Sequence, residues 1–344
     1  MATTMKDIAR ELGVSIITVS KVLRNHADIG EKTRQRVLDK VREMNYTPNL
    51  AARSLVTGRT YLVALVVPDL LHTFFAEIAK SLSAALLKKG YCLTISTTEE
   101  DPALEERTIE RLLARRVDAL IIASALSHSA TLERVQSEGL PLVLIDRRFP
   151  MLDANYVGVD DERVGELATS HLITIGCKRI AHLRGPDTSC GRGRVDGYRK
   201  AIAAHGLKLH AASISDLSLA DAHGIAQGEA LTRRLLQVKT PPDGIFTFND
   251  AMAIGAIHAL QEAGLRVPED VAVIGAGNLY YNDELRVPLS TIDQQTTQAG
   301  EHTARLVLAL LEAKTPPKPR TILLEPRLVA RASTRRAAAH NKKK

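Results

Sequence analysis

At 344 residues the chain is long for one hydrophobic core, which usually stops growing near ~250–300 residues, so two or three domains are expected. No apolar run approaches the ~18 residues of a membrane helix, and three widely spaced cysteines, Cys92, Cys177 and Cys190, supply neither a disulfide framework nor a zinc site. The net charge of +7 is uneven: residues 1–60 carry 11 Lys and Arg against 6 Asp and Glu, residues 61–330 carry 29 against 33, and residues 331–344 carry 6 against none, which points to a polyanion held by the N-terminal end or to a solvated surface with a basic tail.

The opening MATTMKDIARELG lacks the apolar stretch of a signal peptide, and a cytoplasmic protein without a membrane partner is expected, nucleoid-associated if it binds DNA. From Thr4 to Gly13, Ile8, Ala9 and Leu12 share one helical face, Thr4-x-x-Asp7 has the form of a capping box, and Gly13 is a stop signal. Ser15 then caps a second helix with Val19, Val22 and Leu23 at i, i+3 and i+4. Two short helices joined through GVS make a helix-turn-helix. A third helix over 31–45 turns Val37, Leu38, Val41 and Met44 inward, with Gly30 at the cap position. Beyond Pro48, NLAARSL is too short to hold a helix by itself and reads as a linker that orders conditionally.

The second helix can be read by angle at about 100° per residue. With Val19 as origin the core face centres there, and Ile17 falls at about 160°, beside Lys21 and Arg24, while Ile16 falls at about 60°, on the border. Ile16 is therefore either a core residue or a reader, but Ile17 faces outward. A β-branched apolar side chain in that place suits the thymine methyl group in a major groove. Ser15, Thr18 and Ser20 can bond phosphates or base edges, and Lys21 a phosphate or guanine. In the linker, Ala51 and Ala52 are small enough to enter a minor groove, where Leu55 would wedge between base steps; the alternative is a hinge whose leucine packs on the next domain.

From Tyr61 the pattern changes to strands (YLVALVVP, YCLTIST, DALIIA, LVLID, YVGVD) alternating with helices around 74–89, 101–115 and 130–138. A helix over 161–175, the strand RIAHLRG, helices over 194–205 and 222–237, the strand GIFTFND, a helix over 250–263 and the strand VAVIGAG continue it. LSTIDQQ, a helix over 296–312 and TILLEP complete the sheets. This alternation predicts an α/β core of two doubly wound parallel-sheet lobes, with ligands at the carboxyl ends of the strands. RASTRRAAAHNKKK has no core-forming residue and reads as a disordered tail, solvated or adding nonspecific DNA affinity.

Enzyme motifs are missing. The first strand runs into VVPDLLHTFF without a glycine fingerprint, GRGR and GAG are isolated, and there is no GxSxG, HExxH or P-loop, so neither catalytic residues nor a cofactor or metal is expected.

The segments MKDIARELGVSIITVSKVL, TRQRVLDKVREMNYTPNLAARSL, FFAEIAKSL, RRVDALII, NDAMAIGA, GLRVPEDVAVIG and VPLSTIDQ, in this order, make the chain similar to the lactose-repressor family of bacterial transcription regulators over nearly its whole length. The resemblance implies an all-α helix-turn-helix headpiece over 1–47, a hinge helix and linker over 48–60, and a periplasmic-binding-protein-like core over 61–331, followed by the tail at 332–344. Lobe 1 would take about 61–160 and 292–322, and lobe 2 about 161–291 and 323–331. It further implies a homodimer on a palindromic double-stranded DNA operator, most often as a repressor, with a small sugar-like effector between the lobes. Leu55 matches the intercalating leucine, and Thr4, Thr33, Tyr46 and Asn49 match positions that touch the DNA backbone. Ile16 and Ile17 fall where the family reads its operator; Arg24 stands where Asn is usual, and Gly30 where Ser usually caps.

In the cleft, Arg194 matches the effector-binding arginine, Phe74 an apolar effector wall, and Asn249 and Asp146 cleft positions; Thr188, Cys190 and Leu217 also align there. Phe75 reads as core. The family's IGxDN is IGAGN here, so Gly277 replaces an Asp that accepts effector hydroxyls, unless Asn278, Asn282 or Asp283 supplies the acceptor. Two other function classes remain open on sequence: a ligand-binding protein for transport, against which the basic headpiece argues, and an enzyme on the α/β body.

Overall fold

The computed structural model describes residues 3–23, 26–47, 54, 57–126, 128–209, 213–215 and 224–336. The chain divides after Thr60 into two units. In the first, α1 (Met5–Leu12) starts at a capping box: the Thr4 side chain accepts from the Asp7 N–H, and Asp7 Oδ2 accepts from the Thr4 N–H at 3.0 Å. Gly13, at φ 67°, closes the helix in the left-handed region. Ser15 Oγ accepts from the Thr18 N–H at 3.0 Å and caps α2 (Ile16–Leu23). The third helix, α3 (Glu31–Glu43), ends two residues short of the expected Asn45, because Asn45 turns to φ 46°. Ile8, Ala9, Val19, Val22 and Val37 form the core, and Leu12, Leu38, Val41 and Met44 pack round it.

The second unit alternates strands and helices. Its first half holds β1 (Leu62–Val67), α4 (Thr73–Leu87), β2 (Cys92–Thr97), α5 (Pro102–Ala114), β3 (Ala119–Ile122), α6 (Ala130–Ser137), β4 (Leu142–Ile145) and β5 (Asn155–Val159). After α7 (Asp161–Thr174) come β6 (Ile180–Leu183), α8 (Ser189–Ala204), α9 (Gly224–Leu236), β7 (Gly244–Thr247), α10 (Asp250–Glu262), β8 (Ala272–Gly277) and β9 (Ser290–Asp293). The chain then runs through α11 (Thr296–Glu312), β10 (Thr321–Leu324) and β11 (Arg327–Val329).

One sheet has the order β10-β5-β4-β3-β1-β2 and is parallel throughout. The other has the order β11-β9-β8-β7-β6 and is parallel except for β11, which runs antiparallel to β9. Both faces of each sheet are covered, which is why the strands read as nearly continuous apolar runs. On β1, Val63, Leu65 and Val67 enter one core with α4 and α11, while Ala64 and Val66 enter another with α5 and α6.

The described chain passes between lobes three times: from β5 to α7, from β9 to α11, and from β10 to β11. The last two passages fall later than the expected 292 and 323. Asp293 still pairs with Gly277 in the second sheet, and Leu324 with Val159 in the first.

A second difference concerns the tail, expected to be disordered from 332. Ala332–Thr334 form a 3-10 turn with Ser333 and Thr334 buried. Ser333 Oγ accepts from the Ser290 N–H at 2.8 Å and donates to the Val273 carbonyl at 2.7 Å, and Arg336 Nε donates to the Pro268 carbonyl at 3.0 Å. Hydroxyls and a guanidinium hold this stretch, so the lack of apolar residues carried no warning. Residues 337–344 lie outside the described residues.

The helix expected over 194–205 begins instead at Ser189, capped by Thr188, whose Oγ1 accepts from the Gly191 N–H at 3.4 Å. Helices α7 and α8 cross in close contact at glycines. A Cβ on Gly165 would lie 2.2 Å from the Arg194 carbonyl oxygen, and one on Gly197 would lie 1.9 Å from that of Glu162. This approach sets Asp161 beside Arg194. Gly165→Ala is expected to lower core stability by about 1–3 kcal/mol in urea or thermal unfolding, although Ala is the better helix former by about 1 kcal/mol; a stabilised variant would show that the helices part without cost.

Candidate functional site

Two regions carry candidate chemistry, one in each unit. On α2, Ile17 is 67% exposed and Ile16 45% exposed, while Val19 is fully buried. The structure therefore decides the open question about Ile16: it is not a core residue. Thr18 and Ser20 are half-buried beside them, and Ser15 Oγ lies 2.9 Å from Thr18 Oγ1. The Lys21 ammonium donates to Asp28 Oδ2, and this bond holds the Asp28 carboxyl below its ordinary range. Thr4 Oγ1 is bonded to Asp7 in the capping box, Thr33 sits in the first turn of α3, and Tyr46 packs half-buried on the headpiece core. Arg24, Asn49, Ala52 and Leu55 lie outside the described residues.

In the second unit, a cavity of about 1050 Å³ opens between the lobes where strands of both sheets end. Loops after β1, β3 and β4 supply Pro68, Ser124 and Asp146 to one wall; loops after β6 and β7 supply Arg184 and Phe248 to the other. This is the carboxyl-end position expected of doubly wound sheets.

Arg194 lines the cavity at 2% exposure with every nitrogen engaged. Nε donates to Asp161 Oδ1 at 3.0 Å, one terminal nitrogen to the Phe248 carbonyl, and the other to Gln294 Oε1 at 2.8 Å. The guanidinium also stacks 4.4 Å from the Phe248 ring centroid. Burial pushes the Asp161 carboxyl up to about 7 against the pull of Arg194, whose own pKa is held up by that carboxylate.

Phe74 is a buried wall residue, edge-on to Phe75, with ring centroids 5.1 Å apart. Phe75 lines the cavity as well as the core. Asn249 caps α10 through its Oδ1, which accepts from the Met252 N–H at 2.9 Å, and its amide nitrogen donates across the cleft to His72 Nε2 at 3.0 Å. Asp146 and Thr188 also line the cavity. Cys190 stands behind them, fully buried, with its sulfur 3.0 Å from Thr188 Oγ1 and 3.8 Å from Asp146 Oδ2. Burial pushes its thiol up to about 12, so it stays protonated at neutral pH. Leu217 lies outside the described residues.

Gly277 is not among the residues that line the cavity. It ends β8 at φ 146°, and a Cβ there would lie 3.1 Å from Asp250 Oδ2. The Asp250 carboxylate is itself held by Thr291 Oγ1 at 2.6 Å, Asn282 Nδ2 at 2.7 Å and the Leu279 N–H at 3.1 Å. None of the three candidate replacements reaches the cavity lining either: Asn282 serves Asp250, while Asn278 and Asp283 bond Arg331.

Residues 4–49 match the lacI family of bacterial regulatory proteins, and residues 169–334 match the periplasmic binding protein-like domain. The HTH-type transcriptional regulator DegA of Bacillus subtilis is 34% identical over 338 residues, covering 97% of this chain and 98% of its own length. The chain belongs to the lacI family. The ribose operon repressor of Escherichia coli K12 is 33% identical over 302 residues, covering 87% of this chain and 90% of its own. Among solved structures, the lac repressor dimer bound to operator and the anti-inducer ONPF is 26% identical, with TM-score 0.82, covering 97% of this chain and 99% of that one. The transcriptional regulator CelR–cellobiose complex is 29% identical, with TM-score 0.70, covering 96% and 99%.

As a lacI-family protein the chain is a DNA-binding transcriptional regulator with an effector-binding domain, and the enzyme and transport readings fall. No helix among the described residues is long and apolar enough to cross a membrane. Sequence reasoning missed His72, Asp161, Arg184, Phe248 and Gln294, which stand at strand ends or helix starts. Asp161 carried a usable signal, an acid opening a helix directly after a strand; Gln294 carried none.

Arg194→Met strands the buried Asp161 carboxylate and is expected to cost the core about 3–5 kcal/mol in urea unfolding. Adding Asp161→Asn should recover part of that loss, and a double variant no more stable than the single one would show that the pair is not coupled.

Proposed function

We propose that this regulator represses transcription as a homodimer on a palindromic operator, controlled by a small sugar-like effector in the interlobe cleft. The observation that carries the reading is Ile17, an apolar side chain 67% exposed on α2 and flanked by Ser20 and Lys21, where it has no packing role in its own unit. In this reading Ile17 and Ile16 meet thymine methyl groups, while Ser15, Thr18, Ser20, Lys21, Arg24, Thr4, Thr33, Tyr46 and Asn49 hold phosphates or base edges. Ala52 and Leu55 enter the minor groove at the operator centre.

The ribose operon repressor among its relatives and the cellobiose complex of CelR support the effector reading. Phe74, Asp146, Thr188, Arg194 and Asn249 form its wall, with Cys190 behind them; Leu217 joins them by the family match. Effector binding changes the angle between the lobes, and through it the order of the linker.

Selection of bound DNA from a random pool by the purified protein tests the reading. A palindrome with thymine-rich half-sites, bound with a steep salt dependence, is expected. Ile17→Ala should relax the thymine preference at one position by ~1 kcal/mol, and Leu55→Ala should weaken binding to the selected site. Enrichment of a lone half-site would remove the dimeric operator.

A further inference from the structure

Side chains reach from lobe to lobe across the cleft. The Arg148 N–H donates to Ser189 Oγ at 3.0 Å, the Cys190 sulfur lies 3.8 Å from Asp146 Oδ2, and the Asn249 amide nitrogen donates to His72 Nε2 at 3.0 Å. The last of these has an imidazole as its acceptor, and imidazole is the side chain whose charge changes near neutral pH.

The roles in that bond are fixed. Asn249 Oδ1 caps α10 by accepting the Met252 N–H at 2.9 Å, so turning the amide over would take the cap from the helix. The nitrogen end therefore faces His72, and Nε2 must offer its lone pair. The ring proton then sits on Nδ1, which is closed to solvent and has no hydrogen-bond partner. A second proton would find no acceptor at either nitrogen: an Nε2–H would point at the Asn249 amino group, and the Nδ1–H is already unpaired. Cationic His72 and the bond to Asn249 exclude each other.

The groups packed round the ring do not reverse this. Phe74 and Phe75 lie with centroids 6.1 and 5.7 Å from it. Burial holds the ring's pKa below its ordinary value; Asp146 after β4 and Asp69 ahead of α4 favour the cation, while Arg194 of α8 and Arg147 after β4 oppose it. With the lobes parted the ring meets water and titrates in its ordinary range, near ~6.5. A base whose pKa is depressed in one form takes its proton more readily in the other. The joined form is therefore fully favoured above that range and gives way as the pH falls below it.

We propose that His72 and Asn249 form a proton-sensitive latch: neutral His72 holds the lobes together across the cleft, and a proton taken from solvent onto Nε2 releases them. The latch goes beyond the effector reading and does not depend on it, since both partners belong to the core itself.

Hydrogen exchange in the full-length protein tests the latch at the Arg148 amide, which is bonded across the cleft. Rates are followed between pH 7.5 and 5.5 and corrected for the intrinsic pH dependence of exchange. One proton on a ring near ~6.5 when parted should raise the opening constant about tenfold over this range. In His72→Gln, whose side-chain carbonyl accepts from Asn249 but does not titrate, the rise should vanish. In Asn249→Asp one oxygen keeps the cap and the other faces Nε2, so the imidazolium is favoured in the joined form and acid should slow the opening instead. A rise retained in His72→Gln would place the titration on Asp69, Asp146 or Asp161, the last pushed up to about 7 by burial, and would overturn the proposal. So would a flat opening constant in the unaltered protein, or an Asn249→Asp protein that opens in acid as the unaltered one does.

Discussion

The Arg194 guanidinium is almost wholly withdrawn from water, and a cation in such a place keeps its charge only where acceptors are fixed around it. Its acceptors are drawn from separate stretches of chain: Asp161 opens α7 just after the first passage between lobes, Phe248 follows β7, and Gln294 lies in the second passage. The same side chain therefore faces the cleft and grips two of the segments on which the lobes turn. Anything that competes for one of its N–H groups acts on the hinge as well as on the wall.

The passages are themselves tied together. The Gln295 side chain donates to the Glu325 carbonyl, and the Asp160 N–H donates to the Leu324 carbonyl at 3.3 Å. Across the cleft, His72 and Asn249 join the lobes through one bond between neutral groups. The close crossing of α7 and α8 at Gly165 and Gly197 leaves the Asp161–Arg194 pair little room to drift. Cleft geometry thus follows from backbone approach first and from side-chain bonding second.

Much of this was legible in the sequence, for stated reasons. The helix-turn-helix followed from Thr4, Gly13 and Ser15, whose capping roles are local and independent of the rest of the fold. Helical angle alone put Ile17 outside, whereas Ile16, on the border, needed coordinates. The β-α alternation gave both lobes because parallel strands buried on both faces leave long apolar runs, as in LVALVV. What escaped was long-range. The start of α8 was set by a Thr188 cap with no apolar periodicity behind it, and Ser333 and Thr334 were docked by hydroxyls. Gly277 was placed in the cleft by analogy, but its neighbour is the internally satisfied Asp250 carboxylate, which no local pattern reveals.

The Lys21–Asp28 pair gives the reading helix a property of its own. Before any nucleic acid arrives, one of its cations already has an anion that stands in for a phosphate. The pair is exposed and so weakly held, but any DNA oxygen that takes Lys21 must outcompete Asp28. Exchanging Asp28 for another anion therefore costs Lys21 little, and the helix presents a cation that is neutralised at rest and released on demand.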